Sequence, residues 1–256
     1  MSHVGNWCKE WSMGLNIDKC KVMHIGKLNN NNVYTMSCND QTIPLKTTCN
    51  ERDLGVMISS DLKWATHTMY AANKANRILG MLNKTFIHMS VDLLKILYTT
   101  FVRPHLEYAV AVCNPYAKAD IARLEKVQHR ATRLIRSLRE LNYEERLTLL
   151  GITSLEQRRI RGDLIQTYKI INGLDVITWN TPYTFEQRLN VPTTRGHDHK
   201  LTRELVKNCD QRNNCFTNRV VNNWNVLPTS VVSAPSINSF KARLDVEMSK
   251  LSERYL

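Results

Sequence analysis

The chain is 256 residues long and carries 35 Lys and Arg against 23 Asp and Glu, a formal charge of +12 and a pI near 9.5. That length can bury a full core in one or two domains, which excludes a peptide or a bare linker. The charge favours a polyanion as partner, nucleic acid first and an anionic membrane surface second, over a small neutral ligand.

The seven cysteines, at 8, 20, 38, 49, 113, 209 and 215, are odd in number and form no Cys-x-x-Cys, the usage expected of free thiols in a reducing, intracellular setting. The polar residues after Met1 are not the pattern expected of a secretory leader, and secretion is not expected. The longest uncharged run, between Arg219 and Lys241, holds four Asn and two Pro and is unfit to span a bilayer, so no membrane partner is expected.

Trp7, Trp11 and Leu15, at steps of four, read as the end of a helix without an evident beginning, as a fragment of a longer protein would show. Short strands are expected over Lys19–Ile25, Val33–Met36, Thr42–Leu45 and Leu54–Ile58, together a small antiparallel meander, with the Asn run at 29–32 as a turn. After Asp61 the pattern becomes helical. One helix is expected over Thr66–Phe86, weakened by Gly80. Ser90 caps the next, Asp92 sits in its first turn, and Pro104 ends or kinks it at Arg103.

The central helix follows Pro115. Its apolar residues Ile121, Leu124, Val127, Ala131, Leu134, Ile135 and Leu138 keep helical spacing as far as Leu138 and define one face for a core. At roughly 100° per residue, Arg123, Lys126, Arg130 and Arg133 fall on the opposite side, with His129 and Arg136 at its flank. Such a face is often only solvated surface. Between Arg123 and Arg139, however, Glu125 is the sole carboxylate before the run ends, and a structural face more often alternates its signs. These cations are the candidate phosphate contacts.

Ser154 and Gln157 form a capping box for a further helix through Arg158, Arg159, Arg161 and Lys169, stopped at Asn172-Gly173. From Leu174 to Lys200 periodicity gives way to a linker or long loop. Phe216, Val220, Trp224 and Leu227, then Ile237, Phe240, Leu244 and Met248, mark two short terminal helices, the second capped by Ser236.

Five blocks in order carry a resemblance: WCKEWSMGLNIDKCKVMHIG, DLGVMISSDLKW, VRPHLEYAVAVCNPYAKADIARLEKVQHRATRLI, LEQRRIRGDLIQTYKI and NRVVNNWNVLPTSVVSAPSINSFKARLD. Together they resemble the carboxy-terminal part of reverse transcriptases from jockey-type non-long-terminal-repeat (LINE) retrotransposons. The resemblance implies an α+β, mostly α chain: a palm edge at 1–62, a helical thumb at 63–173, a linker at 174–200 and a helical tail at 201–256. It further implies that Asn16 and Lys19 belong to the polymerase's fourth motif and that Leu54, Gly55 and Val56 lie on a strand like the primer grip. The implied partners are RNA or an RNA–DNA duplex, held by the thumb, and the rest of a reverse transcriptase.

A polymerase of this class holds two magnesium ions on paired carboxylates, which the family carries in a Phe/Tyr-Ala-Asp-Asp motif. No Asp-Asp occurs in this sequence. The chain alone is therefore expected to be inactive, with no catalytic residue and no metal or cofactor of its own; its expected role is backbone binding through Arg123, Lys126, Arg130, Arg133 and Arg136. Lys19 as a general acid toward pyrophosphate is set against an ordinary strand lysine, and without the carboxylates the latter is preferred. The alternatives are a protein-interaction module that pairs through apolar residues around Trp224 and Phe240, or a transposon relic without function.

Other chemistry is less well supported. Glu144 and Glu145 point about 100° apart on a helix and do not share a metal. His197, His199, Cys209 and Cys215 are zinc-ligand types at intervals that match neither finger nor knuckle. Cys113 and His105 with an acid form a set that chance supplies, and the single glycines at 26, 55, 80 and 173 cradle no phosphate.

Overall fold

The computed structural model describes residues 6–8, 10–14, 16–26, 29–38, 41–178 and 196–254. Leu15 and the stretch 179–195, most of the expected linker, lie outside them. The chain divides into two compact units, Met1–His67 and Thr68–Leu256. Among the described residues the chain is mostly helical, with small sheets confined to the first unit.

In the first unit, residues 6–8 and 10 are helical and Trp11 lies in the turn that follows. Three two-stranded sheets follow. β1 (Lys21–Val22) pairs in parallel with β4 (Lys46–Thr47), while β2 (Thr35–Cys38) with β3 (Gln41–Pro44), and β5 (Asn50–Asp53) with β6 (Val56–Ser59), are antiparallel hairpins. The expected continuous meander is thus corrected to separate pairs, one of them parallel. Strands of two to four residues supply few ladder bonds and little apolar face, and Pro44 has no N–H to donate where β3 meets β4.

The expected strand over Leu54–Ile58 is shifted as well. Asp53 pairs with Val56, so Leu54 and Gly55 are the two-residue turn, with φ of 43° and 88°. Positive φ at both central positions is the hairpin turn that matches strand twist. Val56 is buried, whereas Leu54 is 86% exposed. Asn50 ties this hairpin to the chain beyond it: its Oδ1 accepts from Ser59 Oγ at 2.6 Å and from Thr66 Oγ1 at 3.3 Å.

The second unit is built from helices around three apolar clusters. The helix α1 spans Ala65–Thr85, and Ala72, Ala75, Leu79 and Leu82 recur on its inner face. They pack with Leu97, Tyr98, Val102 and Leu106 and with Leu124, Val127 and Ala131. α2 (Val91–Leu97) begins at Ser90, whose side chain accepts from the Leu93 N–H. It then widens into a π turn over Tyr98–Val102 before α3 (Arg103–Glu107), with Pro104 at the start of that last segment. A proline cannot donate to the turn before it and its ring crowds that turn's carbonyl, so the wider turn carries the chain past the obstruction.

α4 (Lys118–Thr132) is followed by a 3₁₀ turn at Arg136–Leu138, then α5 (Tyr143–Leu150) and α6 (Leu155–Ile171). Asn142 with Glu145, and Ser154 with Gln157, form reciprocal capping boxes at the last two. The C-terminal segment has four short helices, α7 (Asp210–Asn213), α8 (Phe216–Arg219), α9 (Val221–Asn225) and α10 (Thr229–Val232), and the long α11 (Ile237–Arg254).

These segments close over α6. Leu164 and Tyr168 are buried with Phe216, Val220, Trp224, Phe240 and Leu244. Tyr168 stacks on Phe240 with ring centroids 4.3 Å apart and donates its hydroxyl to the Ala234 carbonyl at 2.6 Å. Trp224 and Phe240 have no exposed surface. They are core residues here, so these two side chains are not themselves exposed apolar surface. Among the described residues, no helix is long and apolar enough to cross a membrane.

Candidate nucleic-acid interface

α4 does what its spacing predicts over its first four turns. Leu124, Val127 and Ala131 are inside, while Lys118, Lys126 and Arg130 are exposed. The helix stops at Thr132, six residues before the end of the apolar pattern at Leu138. Arg133 is its C-cap, bonding to the carbonyls of Arg130 and Ala131. The cause is local and tertiary together. The Thr132 hydroxyl donates back to the His129 carbonyl at 3.0 Å and accepts from Nε of buried Arg146 at 3.0 Å. Beyond it, Leu134 and Ile135 turn in to pack on Leu94, Leu138 and Leu150, a burial the continuing helix does not provide.

The five candidate cations therefore do not form one helical stripe. Lys126 and Arg130 remain on α4, Arg133 sits at its end, and Arg136 opens the 3₁₀ turn; all four are exposed. Arg123 is held differently. Its guanidinium donates to Asp120 and, at 3.1 Å, to Thr68 Oγ1, with the Asp120 side chain buried. Asp120, three residues earlier on the same helix, is the signal for this pair. Arg130 reaches the neutral Asn76 Oδ1 at 2.8 Å.

Glu125 is no interruption of the exposed cations, because it points inward. It accepts from the Tyr143 hydroxyl and, at 3.1 Å, from the Leu155 N–H at the start of α6. Burial pushes its carboxyl up from the usual range, against the bonds from Tyr143 and Leu155. Gln128 completes the network: Tyr98 donates to its Oε1 at 2.6 Å, and its Nε2 donates to the Tyr143 oxygen at 2.9 Å and to the Thr153 carbonyl at 3.0 Å. His129 stacks on Tyr143 with centroids 3.5 Å apart. Burial first, then Arg146, hold that imidazole below its ordinary value, so at neutral pH it adds no charge to the surface.

An open groove of about 1000 Å³ runs beside α4. Lys118, Arg123, Lys126 and His129 line it from the helix, and Glu144, Ser154, Glu156 and Gln157 line it elsewhere. Its charge is mixed. Lys126, Arg130, Arg133 and Arg136 form an exposed positive edge and make no ion pair among the described residues. By contrast two arginines of α6 are ion-paired: Arg158 with Glu107 and Arg161 with Asp245 at 2.5 Å.

Asn16 and Lys19 lie at a 3₁₀ turn over Ile17–Lys19, not on a strand. The Asn16 side chain caps it by accepting from the Lys19 N–H at 3.3 Å. Leu54 and Gly55 are the turn described above, and Val56 begins β6. Cys113 is buried, donates its thiol to the carbonyls of Tyr108 and Ala109, and is pushed up to about 11 by burial, which leaves it protonated at neutral pH. His197 is buried with Nε2 at 3.1 Å from the Trp224 carbonyl, and Glu145 is occupied as a cap. Among the described residues no group of three potential metal ligands converges, and the paired carboxylates that would hold magnesium in a polymerase are absent from the sequence.

The chain matches no protein-family profile and no solved structure. It is similar to an uncharacterised protein of Caenorhabditis elegans, 28% identical over 124 residues, which is 47% of this chain and 63% of that protein.

Proposed function

We propose that this chain is a thumb-like, nucleic-acid-binding part of a jockey-type reverse transcriptase, its first unit answering to the palm edge, that binds RNA or an RNA–DNA duplex along the phosphate backbone. Lys126, Arg130, Arg133 and Arg136 make the contact. The observation that carries this reading is their exposure without a carboxylate partner, in a chain whose other arginines are so often paired or buried. Arg123 supports the surface from Asp120 rather than binding directly. Without paired carboxylates the chain holds no magnesium for phosphoryl transfer, and it acts in binding alone.

Four phosphate contacts require a log–log salt slope of about −2.8 to −3.6. A fluorescence anisotropy titration with a labelled RNA–DNA duplex between low and moderate salt measures it. A slope near zero, or unchanged affinity in the Lys126→Ala, Arg130→Ala, Arg133→Ala triple variant, rejects the proposal.

A further inference from the structure

α1 carries Lys74, Arg77 and Lys84 but no Asp or Glu in its 21 residues. Asn73, Arg77, Gly80 and Lys84, at i, i+4, i+7 and i+11, fall on one side of it, and all four are exposed. Gly80 leaves the middle of this stripe without a side chain, with open space outside the helix backbone.

The stripe lies beside α4. The Thr68 hydroxyl donates to Asp120 at 3.2 Å and accepts from Arg123 at 3.1 Å, and further along α1 Asn76 accepts from Arg130 at 2.8 Å. Both helices advance together between these contacts, so they run in the same direction, and packed helices lie about 8–10 Å apart. Arg77 thus stands level with the end of α4 and Lys84 beyond it, a row staggered against Lys126, Arg130 and Arg133. Asp120 and Glu125, the two carboxylates of α4, are occupied within the fold by Arg123 and by Tyr143 and the Leu155 N–H. The exposed residues of α1 and α4 therefore include cations and no carboxylate.

We propose that Arg77 and Lys84 form a second row of phosphate contacts, and that the ligand is a duplex with one strand along each helix. This rests on the nucleic-acid reading above and specifies the kind of nucleic acid. At 1.5 Å per residue the two cations are about 10 Å apart along α1, the span of about three nucleotides of one strand. A single strand that follows α4 past Arg133 continues to Arg136 rather than to α1. A second strand, held beside the first by base pairing, meets Arg77 and Lys84.

The test is anisotropy titration of the whole 256-residue chain across a salt series, with a labelled RNA–DNA duplex and with the labelled RNA strand alone. Six contacts give a log–log slope of about −5.4 on the duplex, and four give about −2.8 on the single strand. The Arg77→Ala, Lys84→Ala double variant, at exposed positions where alanine favours the helix, should bring the duplex slope to about −3.6 and leave the single-strand slope unchanged. A duplex slope that does not change in this variant, or an equal loss on both ligands, overturns the second row. If the α4 triple variant still loses duplex binding in that case, the reading above stands without it; a slope near zero for the unsubstituted chain on both ligands rejects both.

Discussion

Glu125 on α4 accepts the main-chain N–H of Leu155 at 3.1 Å, thirty residues further along the chain. One carboxylate thereby satisfies an orphan donor at the first turn of α6 and places a negative charge at that helix's positive end. Glu125→Ala leaves that N–H and the Tyr143 hydroxyl short of an acceptor, and should destabilise the chain by about 1–3 kcal/mol in urea unfolding. Because burial raises this carboxyl in the folded state, its proton is held more tightly there than in the unfolded chain. The contribution is therefore largest below the unfolded value and is lost as pH rises through the folded one. Glu125→Gln should flatten the stability profile on the alkaline side of 4.5, measured by urea midpoints at a series of pH values.

His67 gives the opposite dependence. Its Nδ1 accepts the Met57 N–H at 3.2 Å, which requires the unprotonated nitrogen, and burial lowers its proton affinity below 6.5. Its contribution is present above the unfolded value and lost as pH falls through the folded one. The amide resonance of Met57 should follow this titration, with a midpoint below 6.5; a midpoint above it contradicts the assignment.

Arg219 is sunk between segments far apart in sequence. It bonds Asp163 on α6 and the carbonyls of Val110 and Ala111, each at 3.0 Å. Removing one partner of such a buried pair strands the other, so Asp163→Ala or Arg219→Ala should cost about 3–5 kcal/mol. Chemical denaturation of the two single variants and the double variant measures the coupling, which should make the double variant less destabilised than the sum of the singles.

Gly80 lies exposed within α1 and a Cβ added there meets no atom within 4 Å. Gly80→Ala should stabilise the chain by about 0.5–1 kcal/mol through helix propensity and a less free unfolded state. Thermal unfolding reads the gain.

On the proposed duplex-binding surface, single substitutions should separate the exposed cations from the paired one. Arg133→Ala and Lys126→Ala should each lower the magnitude of the salt slope by about 0.7–0.9. Arg123→Ala should leave it nearly unchanged, because that charge is already spent on Asp120. Equal losses for all three, in anisotropy titrations, contradict the division.

The helices were readable before any coordinates because their signals are local. Ser90, Ser154 with Gln157, and the apolar line over Thr66–Phe86 all act within a few residues of themselves. Four of the six strands overlap or adjoin expected ones, but β4 and β5 were not expected and the pairing was not legible, since Lys21 meets Lys46 through backbone groups that every sequence shares. The same limit applies to the basic surface. Spacing put Lys126 and Arg130 on the outer face of α4 and an apolar face opposite them, but it also carried Arg133 and Arg136 onto a helix that stops at Thr132. That the helix ends at Thr132 because Arg146 and the apolar residues beyond it compete for the chain, and that Arg159 is buried, were decided only by packing, where burial strips each charge of water and leaves it dependent on whichever neighbour the fold brings near.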